Sequence, residues 1–373
     1  MNHRNRQALS IAVAGMLLAG LPSCSEDDNG GPVPDTTPPT VVLTYPDQDE
    51  PIRIDEEFTA TAEDDGGEVV SVTFLIDDQV LGEDSEAPFT LSGTALIPWA
   101  DDATHVFTAQ ATDPSGNIGT SEPISATVVR PETLPLTDVL AIAGPGEHNG
   151  HAFGRVVDLD PAITYTANER IEIDVDTCIR GHSAKIALRR SGSFLVVPGE
   201  ENHPTRCDIE YCFILKGKIP SEATFGGAVE YERGTQGWIV NNTFYDNDPA
   251  ALYLHWTTPD LSLRVINNIF YANIQGLIRF ETQDWVYIRH NNSIANGSER
   301  DYGEHCECPD DAFAERIEPD EVHPAGQNIS IDPMLVKQPN PPKEPGDFHL
   351  KAGSPCIGTG ENGEDLGAFP FEG

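Results

Sequence analysis

Three short stretches in the second half of the chain could bring titratable and aromatic side chains together. They are Ala228–Glu232, Ala251–His255 and Leu277–Glu281. Strand alternation puts successive side chains on opposite faces. With Val229, Leu252 and Ile278 turned inward, together with Tyr231, Leu254 and Phe280, two outward columns result. Glu230, Tyr253 and Arg279 form one, and Glu232, His255 and Glu281 form the next. Trp256 and Trp285 follow closely and offer ring faces on which a sugar could stack. Glu232 and Glu281, two strands apart, would be about 9.6 Å from each other, and Glu230 and Glu232 about 6.7 Å along one strand. Carboxyl pairs at roughly 6.5–9.5 Å support inverting glycoside hydrolysis. His255 between two carboxylates is placed for acid–base work. Arg279 with His255 or Tyr253 would instead suit elimination from a uronate. The same residues also make an ordinary ladder of cross-strand ion pairs on a solvated face.

These strands need a scaffold that stacks them, and the chain supplies a repeat. The segments Trp238–Tyr245, Arg264–Tyr271 and Ile288–Ala295 each carry an Asn-Asn pair, at a period of roughly 25 residues. A strand precedes each pair, so every repeat reads as one rung of a solenoid. Aligning Asn242, Asn268 and Asn292 stacks Val240, Ile266 and His290, and also Phe244, Phe270 and Ile294. An earlier rung carries Ile209, Tyr211 and Phe213, with Cys207 in the Trp238 column. Stacked Asn side chains bond along the axis, so these columns are structural rather than ligand-binding.

Two segments carry a family resemblance. Val156–Tyr165 followed by Arg170–Gly181 resembles the opening of pectate-lyase-like right-handed parallel β-helix proteins, although Ala162-Ile163-Thr164-Tyr165 lacks the usual Gly. Asn328–Val336, Gly346–Gly360 and Asp365–Phe369 resemble the closing segment of bacterial surface β-helix proteins, with Cys356 and Gly358 replacing the usual small residue and Asp. The resemblance implies a coil over 131–373. Its cap, about 328–373, would blunt the last open rung. It further implies polysaccharide binding along one outer sheet face. No catalytic motif of the family is matched, neither the lyase Arg/Lys with Asp calcium ligands nor the Asp triad of polygalacturonases.

The first half reads as address, tether and spacer. Residues 1–23 have Arg4 and Arg6 before an apolar run, as a signal peptide does. Leu21-Pro22-Ser23-Cys24 resembles the lipobox of bacterial lipoproteins, which implies lipidation of Cys24 and anchoring in a membrane. Ser25 resembles the sorting pattern for the outer membrane. Residues 24–38 are polar and acidic and serve as a disordered tether. Residues 39–130 show short, regularly spaced strands separated by acidic turns, the pattern of a β-sandwich. Asp35–Val41 and Ala111–Asn117 resemble bacterial Ig-like modules, which act as spacers or adhesive units. The fold class expected is therefore all-β, an Ig-like sandwich followed by a right-handed parallel β-helix.

Composition narrows the partners. The net charge of −39 repels nucleic acid, and polyanionic sugars too unless divalent cations bridge them. No cofactor is assigned, although the acidic turns offer oxygens to calcium. Six cysteines remain besides Cys24: Cys178, Cys207, Cys212, Cys306, Cys308 and Cys356. An even count in an exported chain points to disulfides. Cys306 and Cys308, with His305 and His323 nearby, lack the spacing of a structural zinc site, so no metal is assigned. Two readings remain. One is a cell-surface module for glycan binding, adhesion or envelope structure. The other is a polysaccharide hydrolase or lyase.

Overall fold

The computed structural model describes residues 35–188, 195–198, 205–216, 227–232, 234–248, 250–254, 263–273, 275–279, 286–294, 328–329, 331–337 and 346–372; for 275–279, 286–288 and Ile294 it describes the backbone alone. Cys24, Cys306, Cys308, His305 and His323 lie outside these residues, as do His255, Trp256, Glu281 and Trp285. Among the described residues no helix is long and apolar enough to cross a membrane.

The first unit is a two-sheet sandwich. Thr40–Tyr45, Glu57–Glu63 and Phe89–Ser92 form one sheet; Pro51–Ile52, Ser71–Ile76, Gln79–Asp84, Thr104–Thr112, Ile118–Thr120 and Ile124–Val128 form the other. Alternate residues turn inward, and Phe58, Phe74 and Phe107 meet at ring distances of 5.4 and 6.2 Å. The strand Gln79–Asp84 carries little apolar signal. It pairs with Ser71–Ile76 because Asp77 and Asp78 both adopt positive φ (46° and 65°), the geometry of a tight hairpin.

Arg130 leads out of this unit, with its guanidinium between Asp102 (3.2 Å) and Asp160 (3.0 Å). The short helix Leu136–Ile142 follows. Its Leu136, Val139 and Leu140 lie on one face and join the interior of the next unit.

That unit is a parallel β-helix of three sheets. Sheet A has seven described strands, from Thr133–Pro135 to Asn292–Ile294. Sheet B has six, from Arg155–Asp158 to Val286–Arg289. Sheet C has five, from Ile171–Glu172 to Gln275–Arg279. Inward residues such as Ile179, Ile209, Ile239 and Val265 stack rung on rung. Phe244 and Phe270 lie stacked at 5.0 Å and are fully buried.

The turn from sheet B to sheet A holds the Asn-Asn pairs, and two successive positions of that turn do different things. The second forms a ladder: the N–H of Cys212, Asn242, Asn268 and Asn291 each donates at 2.9 Å to the side-chain oxygen of Asn242, Asn268, Asn291 and Asn328 in turn. Each Nδ2 of Asn242, Asn268 and Asn291 donates at 2.8 Å to a carbonyl of the preceding rung. The first position adopts positive φ, at Tyr211 (53°), Asn241 (55°), Asn267 (60°) and His290 (54°). Asn tolerates that conformation better than most residues.

Two registers differ from the sequence alignment by one residue. Asn291, not Asn292, continues the ladder, so Ile266 pairs with Arg289 rather than His290. Cys207 aligns with Gly237 rather than Trp238, because Ile209 pairs with Ile239. In both cases adjacent residues of similar type left the alignment ambiguous by one position.

The C-terminal segment does more than close an open end. Ile329 bridges to Asn292 and continues sheet A. The hairpin Leu335–Lys337 with Asp347–Leu350, and the chain through Leu366, then cover the outer face of sheet A. That face is apolar, carrying Phe213, Leu215, Tyr245 and Ile269, and it needs a cover.

The expected disulfides are not formed among the described residues. Cys178, Cys207, Cys212 and Cys356 are buried free thiols. Cys207 faces the interior, whereas Cys178 pairs with Asp208, whose side chain lies on the opposite face of the same sheet. Neighbouring strands therefore separate these sulfurs instead of joining them.

Candidate functional site

The described part of the patch expected on sheet C departs from the expected register. Val229, Leu252 and Leu277 share one column, Glu230, Tyr253 and Ile278 the next, and Tyr231, Leu254 and Arg279 the third. Arg279 thus falls in the Leu254 column, away from Tyr253. Leu277 and Ile278 are both apolar, so alternation alone could not choose between them. Tyr253 is only 1% exposed and presents no open ring to a ligand. Glu230 is half-buried. Glu232 meets Arg170 at 3.3 Å, and Arg170 also reaches Glu172 at 3.1 Å, which is the plain cross-rung ion pair.

The outer face of sheet B carries a denser constellation. Asp208 and Glu210 lie two residues apart on the strand Cys207–Glu210, facing outward and nonetheless buried. Their burial comes from a hairpin, Gly146–His148 with His151–Phe153, laid over the sheet. Asn149 (φ 48°) and Gly150 (φ 77°) make its turn, and only a residue tolerant of positive φ fits there. His148 Nε2 meets Glu210 Oε2 at 2.8 Å, and Asn149 Nδ2 donates to Glu210 Oε1 at 3.0 Å. On the other strand of the hairpin, His151 touches the Trp238 ring edge-on at 5.7 Å and Phe153 lies under the Arg206 guanidinium.

Asp208 is sealed. It accepts from Arg206 Nη2 at 3.0 Å and from the Trp238 N–H at 2.9 Å, with no exposed surface. Burial raises its carboxyl above the usual range, against the pull of Arg206. Burial likewise raises Glu210, against the pull of His148. Cys178, on the adjacent strand, is pushed up to about 12 by burial and by Glu210 and Asp208. It is a packed thiol rather than a nucleophile.

Glu210 alone of the two acids borders open space, a cleft of about 300 Å³. Trp238, Arg264, Tyr211 and Asn267 line it from the coil, Asn149 from the hairpin, and Glu361, Asn362 and Glu364 from the C-terminal segment. Arg264 lies 4.8 Å above the Trp238 ring and Arg206 5.4 Å from it, so the indole is held between two guanidinium groups. The positive-φ column fixes the far wall. Asn267 Oδ1 accepts from the Glu361 N–H at 2.7 Å, Asn267 Nδ2 donates to Glu364 at 3.2 Å, and His290 bonds the Thr359 carbonyl at 3.0 Å. Arg289 pairs with Glu361. Such a cleft can hydrogen-bond a hydroxyl-rich ligand through planar amides and carboxyls, and Glu210 can hold a proton there.

Sequence alternation over Ala228–Glu281 does not reach these residues, because they come from three distant segments. One local signal was available: Asn149-Gly150 between His148 and His151 is a strong hairpin dipeptide.

In the Ig-like unit, carboxylate oxygens of Asp35, Asp64 and Asp113 converge within 4.8 Å of one another. Asn117 Nδ2 ties the group together, donating to Asp113 at 2.7 Å and to the Asp35 carbonyl at 3.2 Å. Three carboxylates supply oxygens of the kind a calcium-sized cation uses, though fewer than the roughly six to eight it takes.

Residues 39–109 match the family model for a bacterial Ig domain. The fibronectin(III)-like modules of Clostridium thermocellum CbhA are 32% identical over 25% of this chain, with a TM-score of 0.20, and the chain spans about half of theirs (47%). Pectate lyase Pel3 from Pectobacterium carotovorum is 12% identical, covering 70% of this chain and 82% of its own, with a TM-score of 0.17. Pectate lyase PelI from Erwinia chrysanthemi, in complex with tetragalacturonic acid, is 9% identical over 69% of this chain and 76% of its own, with a TM-score of 0.16. No curated protein matches the chain in sequence. The chain is all-β: a bacterial Ig-like domain, then a β-solenoid.

Proposed function

We propose that the chain is a glycan-binding module of a bacterial cell surface, with the sheet B cleft as its binding site. The observation that supports this best is the cleft's lining: three amides, three carboxyls, a phenol and a guanidinium set beside a clamped indole. Planar polar side chains of this kind pair with sugar hydroxyls and fix their orientation. In this reading Cys24 is acylated and anchors the chain in the outer membrane. The tether and the Ig-like unit then hold the β-helix away from it, which serves adhesion or envelope structure. Affinity electrophoresis of residues 35–373 against neutral and acidic polysaccharides tests the proposal. At least one polysaccharide is expected to retard the wild type, and Arg264→Ala with Asn362→Ala to weaken that retardation about tenfold. Unchanged mobility across the panel would overturn it.

A second reading, polysaccharide cleavage, is favoured by one observation. Glu210 is buried, hydrogen-bonded to His148 and biased toward its protonated form, as a general acid is. Asp208 is sealed, so Glu361 or Glu364 would have to supply the partner carboxylate. Glu210→Gln should then lower depolymerisation by about 10²-fold or more while retaining binding. Absence of turnover by the wild type leaves the binding module alone.

A further inference from the structure

Among its described lining residues, the cleft is unevenly charged. Glu210, Glu361 and Glu364 line it, against the single guanidinium of Arg264. Glu361 is paired with Arg289, and Arg264 is stacked on Trp238. Glu364 is exposed and uses Oε2 to accept from Asn267; its Oε1 accepts no hydrogen bond among the described residues. The Tyr211 hydroxyl likewise has no hydrogen-bond partner among the described residues. It lies within the field of both Glu364 and Glu210, which, after burial, push it up and keep it neutral. Two carboxyl groups and a phenol oxygen thus line the same cleft, together with Asn267 and Asn149.

An ammonium group brings three donors and one positive charge to such a cleft. A hydroxyl brings one donor and no charge. An acetamide adds bulk and removes the charge, and a uronate carboxylate meets like charge. We propose that the cleft takes a sugar bearing a free amine, its ammonium seated against the open Oε1 of Glu364, with Glu210 and the Tyr211 hydroxyl lining the same cleft. The inference rests on the glycan-binding reading above and names the ligand class within it. Charge-assisted bonds from the amine supply the selectivity, and the remaining hydroxyls are left to the amides and Arg264.

The full-length protein is titrated with glucosamine, glucose, N-acetylglucosamine and galacturonate. The Trp238 indole N–H resonance is followed by NMR, assigned with Trp238→Phe. The four sugars share a pyranose ring, and glucosamine is the only one carrying a free amine, so no linkage is presupposed. Glucosamine is expected to bind about tenfold more tightly than each of the others. Glu364→Gln, at an exposed position, should bring the glucosamine-to-glucose preference close to one. Equal affinities for glucosamine and glucose, or tightest binding of galacturonate, would overturn the amine assignment while leaving glycan binding intact. No shift with any of the four overturns it too, and a blank polysaccharide panel would then remove the glycan reading as well.

Discussion

The two asparagines of each pair differ in what their loss would cost. Asn268 satisfies the Asn242 N–H and, through Nδ2, the Ile239 and Ile266 carbonyls, all in a dry turn. Asn268→Ala leaves the buried Asn242 N–H without its acceptor and takes a bond from the Ile239 and Ile266 carbonyls, and a buried group left unpaired costs about 1–3 kcal/mol. Chemical denaturation should show a loss of at least about 2 kcal/mol, whereas a change under half of that would mean the ladder is dispensable. Glu210 gives a pH-dependent effect. Its folded-state carboxyl is raised by burial. Its stabilising contribution is therefore fully present below the unfolded value of about 4.3 and is lost as pH rises through the folded value. Relative to Glu210→Gln, the wild type should lose stability as the pH rises above the unfolded value. Asp208 shifts the same way but titrates in both proteins, so the difference between their urea midpoints reports Glu210 together with its coupling to Asp208 and His148. A difference that stays flat with pH would contradict this. The Asn columns were legible because their identity repeats. Glu210 was not, because nothing in its own rung repeats: Tyr211 and Cys212 stand where Asn-Asn stands elsewhere.

Among elements, the sheet B strands depend on close approach at one glycine. A Cβ on Gly237 would lie 1.9 Å from the Cys207 carbonyl oxygen and 3.0 Å from the Tyr231 ring. Tyr231 cannot easily yield, since its hydroxyl donates to that same carbonyl at 2.7 Å from a fully buried position. Gly237→Ala must therefore spread two rungs and is expected to cost about 3 kcal/mol. Thermal unfolding reads this directly, and an unchanged midpoint would show that the rungs are more compliant than their packing suggests. The coil's elements could be read from period alone, since rungs are local and similar. The hairpin 146–153 was missed because each of its strands is three residues long and carries no apolar alternation.

For the whole molecule, the C-terminal segment is both a cover and a wall. It buries Phe213, Leu215, Tyr245 and Ile269 of sheet A and places Glu361 to Glu364 against the cleft. Truncation after Lys337 should expose that apolar face and strip the far wall at once. Sedimentation should then show self-association, together with loss of any glycan binding. A truncated chain that stays monomeric and still binds would separate cleft from cover.

Taken alone, the sequence determined the all-β class, the Ig-like and β-helix order and the structural role of the Asn columns, because repeats and turn residues are encoded locally. It could not determine which outer face carries a site. That choice turns on register, where a one-residue slip moves every side chain to the opposite face. It also turns on segments that meet only in the fold. His148 reaches Glu210 across 62 residues, and Asn267 reaches Glu364 across 97. Tertiary packing brought those three segments together, buried Tyr253, and placed the open acid on sheet B.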